Sequence, residues 1–279
     1  MIETKKCPVC GRRAVEIDGM YRCLYCGRAW DDQPVVTPKP LEALYAQNER
    51  ICEQAHKNLL NNIDGSLTYC LSRGMTEHLI KEHKLGYTPE GYRMMTSMWE
   101  RRLLFPIFTS DGKHVCAFGG RKIVADDRPK YVNSYASPIY NKSESLYGYN
   151  LVPEHADTIY LCEGYVDVLS MDVKGFAYPV ASLGTALTIE QSIMIRKKAS
   201  RVVVCYDADE AGQKNALRAI DLLATAGFKT NEIDVMVIAD AKDVDEALQH
   251  GCTLSEQRLL GYLAARQEYE AFVDALINT

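Results

Sequence analysis

Two short acidic runs, Glu163-Gly164-Tyr165-Val166-Asp167 and Asp207-Ala208-Asp209, decide the fold of this 279-residue chain. Each run follows a short apolar stretch, Thr158 to Cys162 in the first case and Arg201 to Tyr206 in the second. A carboxylate just past the end of a buried strand lies at the edge of an α/β sheet where ligands bind. Carboxylates gathered at one edge repel each other unless a cation joins them, and oxygen ligands of this kind suit Mg²⁺. The two runs therefore predict a divalent-metal site that faces phosphate.

Strands and helices alternate around these runs. Alternation of this kind predicts a parallel sheet with helices on its faces. The predicted strands cover 158–162, 178–181, 201–206 and 232–238, and the predicted helices cover 165–173, 189–198, 210–226 and 244–249. The final stretch, 254–277, has apolar residues at helical spacing and predicts one or two further helices.

The region before residue 156 has a different pattern. A helix is predicted over 41–60, and Thr76-Glu77 can begin another. The stretch 103–118 predicts a β-hairpin, with its turn at Ser110-Asp111-Gly112-Lys113.

The charge of the chain is uneven rather than extreme. The formal net charge is −5, from 32 basic and 37 acidic residues, so the chain is not basic overall. Basic residues concentrate between 93 and 142, which fits a phosphate-binding groove opposite a metal site. A solvated surface rich in Lys and Arg explains the charge alone equally well. The six histidines show no metal-ligand spacing and are expected at the surface.

No apolar stretch approaches the roughly 20 residues that a membrane span needs, and the N-terminus lacks the apolar core of a signal peptide. A cytoplasmic protein without membrane partners is therefore expected.

Four of the ten cysteines form a separate motif near the N-terminus. Cys7 and Cys10 make one C-x₂-C pair, and Cys23 and Cys26 make a second pair twelve residues later. Each pair is followed by glycine, and two such knuckles complete the tetrahedral sulfur site that structural Zn²⁺ prefers. Two unrelated redox-active thiol pairs are the alternative, but a segment of ~30 residues needs a staple to fold. The six other cysteines are predicted to be core residues.

The motifs together resemble a known family. The Glu163-Gly164 turn and the Asp207-Ala208-Asp209 run resemble the TOPRIM fold shared by primases and topoisomerases. The resemblance extends from about residue 69 to about residue 248. Over this region the chain is similar to bacterial DnaG-type primases in the type and order of its motifs. The further motifs are Phe105-Pro106-Ile107, Phe118-Gly119-Gly120-Arg121, Lys130-Tyr131-Val132-Asn133-Ser134, Leu146-Tyr147-Gly148, Ser182-Leu183-Gly184-Thr185-Ala186 and Lys242-Asp243-Val244-Asp245-Glu246.

The resemblance implies roles for individual residues. Glu163, Asp207 and Asp209 are implied as catalytic acids, and the Mg²⁺ or Mn²⁺ ligands are implied to be these three with Asp167, Asp243 and Asp245. Helix capping is the alternative role for the Asp207 and Asp243 pairs. The implied nucleotide- and template-binding residues are Arg121, Lys130, Asn133, Lys142 and, more weakly, Arg73.

The resemblance also implies an organisation: an α/β TOPRIM domain of Rossmann-like parallel type over 156–250, preceded by an α+β subdomain over 61–155. A zinc ribbon over 1–30, a proline-rich linker and helix over 31–60 and a C-terminal helical segment over 251–279 complete the expected division. Two departures stand out: Cys10 replaces the histidine usual in the first knuckle, and no helicase-binding domain is recognisable. A phage or mobile-element primase, or a stand-alone variant, would explain the small size.

The implied activity is DNA-templated synthesis of short RNA from ribonucleoside triphosphates on single-stranded DNA, with a replicative helicase as a further partner. A TOPRIM-type nuclease and a non-catalytic zinc-ribbon replication accessory are the alternatives. The basic motifs disfavour the nuclease, and the intact acidic set disfavours the accessory, because clustered carboxylates without a use repel each other.

Overall fold

The computed structural model of the chain describes residues 4–7, 13–17, 20–23, 29–30, 41–184 and 186–267. Within these residues the chain forms three β-sheets in succession. The first is antiparallel, with its strands in chain order: β1 (Thr4–Lys6), β2 (Arg13–Ile17), β3 (Met20–Cys23) and β4 (Ala29–Trp30).

Half of the predicted zinc site lies in this first sheet. Cys7 and Cys23 are buried together with Ala14 in a small core. Cys10 and Cys26 lie outside the described residues, as does the predicted linker at 31–40. The zinc ribbon therefore stays a prediction.

Three helices and a second sheet follow. The helices are α1 (Leu41–Leu60), α2 (Ser66–Ser72) and α3 (Glu77–Glu82). The predicted start of α3 is confirmed, because the Thr76 hydroxyl accepts a hydrogen bond of 3.2 Å from the Leu79 amide, an N-cap. The second sheet is antiparallel and contains β5 (Gly86–Thr88), β6 (Arg102–Phe108), β7 (Val115–Lys122) and β8 (Tyr131–Asn133), in that order. Strands β6 and β7 form the predicted hairpin.

The third sheet is the predicted α/β unit. Its strands are β9 (Ala156–Cys162), β10 (Pro179–Ala181), β11 (Ala199–Cys205), β12 (Ile233–Ile238) and β13 (Leu254–Arg258). Its helices are α4 (Tyr165–Val173), α5 (Ile189–Lys198), α6 (Glu210–Thr225) and α7 (Val244–His250). The strand order is β10-β9-β11-β12-β13, and all pairs are parallel except β12 with β13.

The prediction of helix from residue 254 onward is wrong at its start. Residues 254–258 form the edge strand β13, which pairs antiparallel with β12, and helix is observed only over 259–267. The backbone of β12 would otherwise present unpaired hydrogen-bonding groups at the sheet edge, and this demand outweighs local propensity. The rest of the predicted C-terminal segment lies outside the described residues.

Both faces of the parallel sheet are covered, which explains the apolar character of its strands. One core joins the sheet to α5 and α6 and includes Ile195, Val204 and Ala219. The other core joins it to α4 and to the second sheet, and includes Phe105 and Val168. Five of the six scattered cysteines are buried as predicted, and Cys252 is partly exposed. No helix in the described ranges is long and apolar enough to cross a membrane.

Candidate active site

The two acidic runs meet at one edge of the parallel sheet. Strands β9 and β11 are neighbours, and Cys162 pairs with Cys205 at their carboxyl ends. Glu163 and Asp207 follow these cysteines closely, so the sheet brings together residues 44 positions apart. The Asp207 amide donates to Glu163 Oε1 at 3.4 Å. The predicted meeting of these acids is confirmed.

Asp209 and Asp243 begin the helices that follow. Asp209 Oδ1 accepts from the Gly212 amide at 2.9 Å and caps α6. Asp243 Oδ1 accepts from the Glu246 amide at 2.7 Å and caps α7. Each cap uses one carboxylate oxygen, so capping does not by itself exclude cation binding by the other oxygen, although Asp209 Oδ2 lies 3.6 Å from Lys242 Nζ.

Asp167 connects α4 to α7. Its Oδ2 accepts from the Gly164 amide at 3.2 Å, and its Oδ1 accepts from the Asp245 amide at 3.2 Å. The two backbone bonds fix this side chain at the start of α4. Asp167 therefore belongs to the same acidic edge as Glu163.

Asp245 differs from the other acids because three side-chain donors engage its two oxygens. Oδ1 accepts from Ser170 Oγ at 2.6 Å and from Gln249 Nε2 at 2.6 Å. Oδ2 pairs with the guanidinium of Arg73, which comes from the turn after α2. This carboxylate therefore links three elements of the fold.

Three of the carboxyl groups at this edge of the sheet have raised pKa values. Burial, followed by the charge of Asp207, raises the pKa of Glu163 to about 7. Burial, followed by the charge of Asp243, raises the pKa of Asp207 to about 6 and that of Asp167 to about 8. Asp209 behaves oppositely, because the Gly212 amide lowers its pKa. Partly buried carboxylates that repel each other are the donor set that a divalent cation stabilises.

A cleft of about 610 Å³ separates this edge from the second sheet. Four of the five predicted nucleotide- and template-binding residues line it: Arg73, Arg121, Lys130 and Asn133. Lys130 lies close enough for its charge to oppose the rise in the pKa of Asp207. The basic side chains and the acids therefore face one shared space.

Lys142 is the exception. It does not line the cleft; its backbone carbonyl accepts from Gln191 Nε2 at 3.1 Å, and burial lowers the pKa of its amine.

Three side chains that line the cleft are not among the predicted site residues: Tyr131, Tyr165 and Lys242. Tyr131 lies beneath two cations, with its ring centre 5.7 Å from the Arg121 guanidinium carbon and 5.6 Å from Lys130 Nζ. The Tyr165 hydroxyl donates to Asn133, and Lys242 Nζ lies 3.6 Å from Asp209 Oδ2. All three occur inside motifs that the sequence singles out, but neither Tyr nor Lys carries a metal-ligand signal there.

The carboxylates of the cleft are not packed into one tight cage. Within the described ranges, the one group of three ligand atoms lying within 4.8 Å of one another is Glu82, His83 and Asp172, away from the cleft. His83 is buried there, contrary to its expected surface position, and its ring hydrogen-bonds Asp172 at 2.9 Å. The wider spacing at the cleft suits Mg²⁺, which keeps several waters and binds through few carboxylates.

Two family descriptions match the chain. Residues 160–248 match the family described as Toprim-like. Residues 92–152 match the N-terminal domain of the DNA primase catalytic core. The boundary between the two matches falls where the second sheet gives way to the third.

Curated relatives cover the same part of the chain. The DNA primase of Clostridium acetobutylicum is 35% identical over 234 residues, which are 74% of this chain and 38% of that protein. The DNA primase of Aquifex aeolicus is 32% identical over 237 residues, 75% of this chain and 47% of that protein. The chain thus spans less than half the length of these relatives.

Solved structures share the fold. The Aquifex aeolicus primase structure with zinc-binding and RNA polymerase domains has a TM-score of 0.70 at 24% identity, covering 96% of this chain and 82% of that one. A DnaG primase catalytic domain bound to single-stranded DNA has a TM-score of 0.69 at 24% identity, covering 82% of this chain and 81% of that one.

The parallel sheet with its acidic edge defines a TOPRIM protein. The region directly before it matches the N-terminal domain of the DNA primase catalytic core, which narrows the class from TOPRIM proteins to primases. The chain belongs to the DnaG-type primases, and it contains the core in which their polymerase N-terminal and TOPRIM regions adjoin.

Proposed function

We propose that this chain synthesises short RNA primers on single-stranded DNA by metal-dependent nucleotidyl transfer. The observation that carries the proposal is the cleft, where Glu163 and Asp207 face Arg121 and Lys130. Asp209 does not line the cleft, but its Oδ2 lies 3.6 Å from Nζ of Lys242, which does. In this reaction a 3′-hydroxyl attacks the α-phosphate of a ribonucleoside triphosphate, and pyrophosphate leaves. A cleft with one acidic and one basic wall suits this reaction, because the acidic wall can bind metal cations and the basic wall can bind phosphates.

The acidic wall would hold Mg²⁺ or Mn²⁺ through Glu163, Asp167, Asp207, Asp209 and Asp243. When bound, these ions polarise phosphoryl oxygens and favour the attacking alkoxide. The chain's own contribution is to fix the carboxylates at the sheet edge by backbone bonds, before substrate arrives.

The basic wall would orient the nucleotide and the template. Arg121 offers a planar fork to phosphate, whereas Lys130 acts as a point charge. Tyr131 holds both cations against its ring, and Tyr165 fixes the Asn133 amide. Lys142 is proposed to contact template beyond the cleft.

The N-terminal cysteines and the partners complete the proposal. Cys7, Cys10, Cys23 and Cys26 would bind one structural Zn²⁺. Single-stranded DNA as template is supported by the related catalytic domain that was solved with it. The place of action would be the cytoplasmic replication fork, with a replicative helicase as partner.

A TOPRIM nuclease is the second candidate, since an acidic edge alone also suits phosphodiester hydrolysis. The basic wall favours synthesis, because a polymerase must bind a nucleoside triphosphate as well as DNA. In this wall Arg121 hydrogen-bonds the Tyr131 hydroxyl, and Asn133 accepts a hydrogen bond from Tyr165. A non-catalytic accessory would gain nothing from three carboxylates with raised pKa values.

The proposal is tested by incubating the protein with single-stranded DNA, labelled ribonucleotides and Mg²⁺. Wild-type protein should make short RNA, and Asp207→Ala should lose this activity by about a hundredfold or more, because a metal-binding acid is removed. Asp221→Asn, which changes an exposed acid on α6, is the matched control and should leave synthesis unchanged. Degradation of the DNA without synthesis would favour the nuclease, and absence of RNA on every template would reject the primase.

A further inference from the structure

The contacts of Asp245 set it apart from the acids around it. Ser170, Gln249 and Arg73 engage its two oxygens, and its side chain is only 12% exposed. A carboxylate has about four acceptor positions, so three donors leave little capacity for a cation. Drawing this group toward a metal would also separate it from Arg73, whose side chain is itself only 24% exposed.

Arg73 has the complementary arrangement. It lies 172 residues from Asp245 in the chain, in the turn between α2 and α3, yet its side chain lines the cleft. Its Nη2 is committed to Asp245. Across the part of the chain that the structure describes, its Nε is buried and has no hydrogen-bond partner. The side chain as a whole is 24% exposed and lines the cleft, so the guanidinium, held by Asp245 through Nη2, can present its remaining N–H donors to an oxyanion there.

We infer that Asp245 is not a metal ligand but a positioning residue, which holds Arg73 at the cleft so that Arg73 binds a phosphate group of the substrate. The inference rests on the proposed function and refines its site. It separates two kinds of acid that the sequence places in one motif. Asp243 faces the acidic edge, and Asp245, two residues later, faces the side chain of another subdomain.

The test compares Asp245→Asn, Arg73→Gln and their double variant with Asp207→Asn as the metal-ligand reference. Mn²⁺ affinity is measured without nucleotide by titration calorimetry. Phosphate binding is measured in two arms without turnover: a fluorescent ATP analogue and a labelled single-stranded DNA. The arms distinguish a triphosphate from a template phosphate as the group that Arg73 binds. Thermal melting of every variant reports on folding.

Asp245→Asn should keep Mn²⁺ affinity within about twofold, whereas Asp207→Asn should lose about tenfold or more. Asp245→Asn and Arg73→Gln should each weaken the same phosphate arm by about tenfold, and the double variant should be no weaker than either, since both act through one guanidinium. A purely structural contact would lower the melting temperature but would not make the two substitutions non-additive in phosphate binding.

Loss of Mn²⁺ binding in Asp245→Asn equal to that in Asp207→Asn would overturn the inference, and so would unchanged affinity in both phosphate arms. If Asp245→Asn does not fold, Ser170→Ala and Arg73→Lys carry the test, because each removes part of the same network; additive effects there would overturn it. None of these measurements needs primer synthesis. A wild-type protein that shows this binding pattern but makes no RNA rejects the proposed function alone.

Discussion

At Gly212 the missing side chain allows α6 to begin directly against Asp207. A Cβ at this position would lie 2.3 Å from the Asp207 carbonyl oxygen, which is backbone and cannot move aside cheaply. We expect Gly212→Ala to destabilise the protein by about 1–3 kcal/mol, the usual cost of overpacking, and to reduce RNA synthesis by displacing Asp207. Urea unfolding and the priming assay measure the two effects. The control is Gly261→Ala, whose Cβ would meet nothing within 4 Å and whose stability should be unchanged or improved.

At the scale of elements, α4 is joined to β8 by one hydrogen bond, from the Tyr165 hydroxyl to Asn133. Tyr165→Phe removes the donor and should cost about 1 kcal/mol of unfolding free energy. It should also weaken binding of an ATP analogue, because the Asn133 amide loses its orientation in the cleft. Tyr160→Phe is the matched control: its hydroxyl donates to Glu256 at 2.5 Å in a network that does not line the cleft. Equal nucleotide affinity in both variants would contradict a role for the bond at the site.

The elements also show what a sequence can and cannot specify. Helix α4 and strand β9 follow from local patterns, because an apolar strand, a glycine turn and a helical period lie in one continuous stretch. Strand β13 does not, because Leu-Ser-Glu-Gln-Arg has little strand character and is held by its pairing with β12. The contact of Arg73 with Asp245 is beyond local reasoning for the same reason: packing between distant segments determines it.

The stability of the whole molecule should depend on pH through the acidic edge. Burial and the neighbouring Asp207 raise the pKa of Glu163 to about 7, whereas the pKa of a carboxyl in the unfolded chain is about 4. Between these values the folded, metal-free protein binds more protons than the unfolded chain, so its free energy of unfolding falls as pH rises. With metals chelated, Glu163→Gln should therefore gain stability relative to wild type on going from pH 6 to pH 8. Melting temperatures at the two pH values measure this gain, and an identical difference at both would contradict it.

A second prediction at this scale concerns metal content. The purified chain should contain about one zinc per molecule, because four thiolates complete one structural site. Cys7→Ser should lower that content sharply, since Cys7 is buried in the N-terminal core. Cys252→Ser serves as the control, because Cys252 is partly exposed and hydrogen-bonds the Asp240 carbonyl. Elemental analysis measures the zinc content of the wild type and of both variants. A zinc-free wild-type protein would contradict the predicted zinc ribbon.

The stacking of Phe105 on Tyr165 has a mechanical consequence. Their rings lie 4.8 Å apart at 13°, and both belong to one buried core that runs beneath the cleft from the second sheet to the third. A close-packed interior transmits displacement rather than absorbing it. The acidic and basic walls of the cleft therefore pack on the same core. We expect this core to keep their separation constant when substrate binds. The distance between the acidic and basic side chains then depends in part on Phe105, a buried side chain that does not line the cleft.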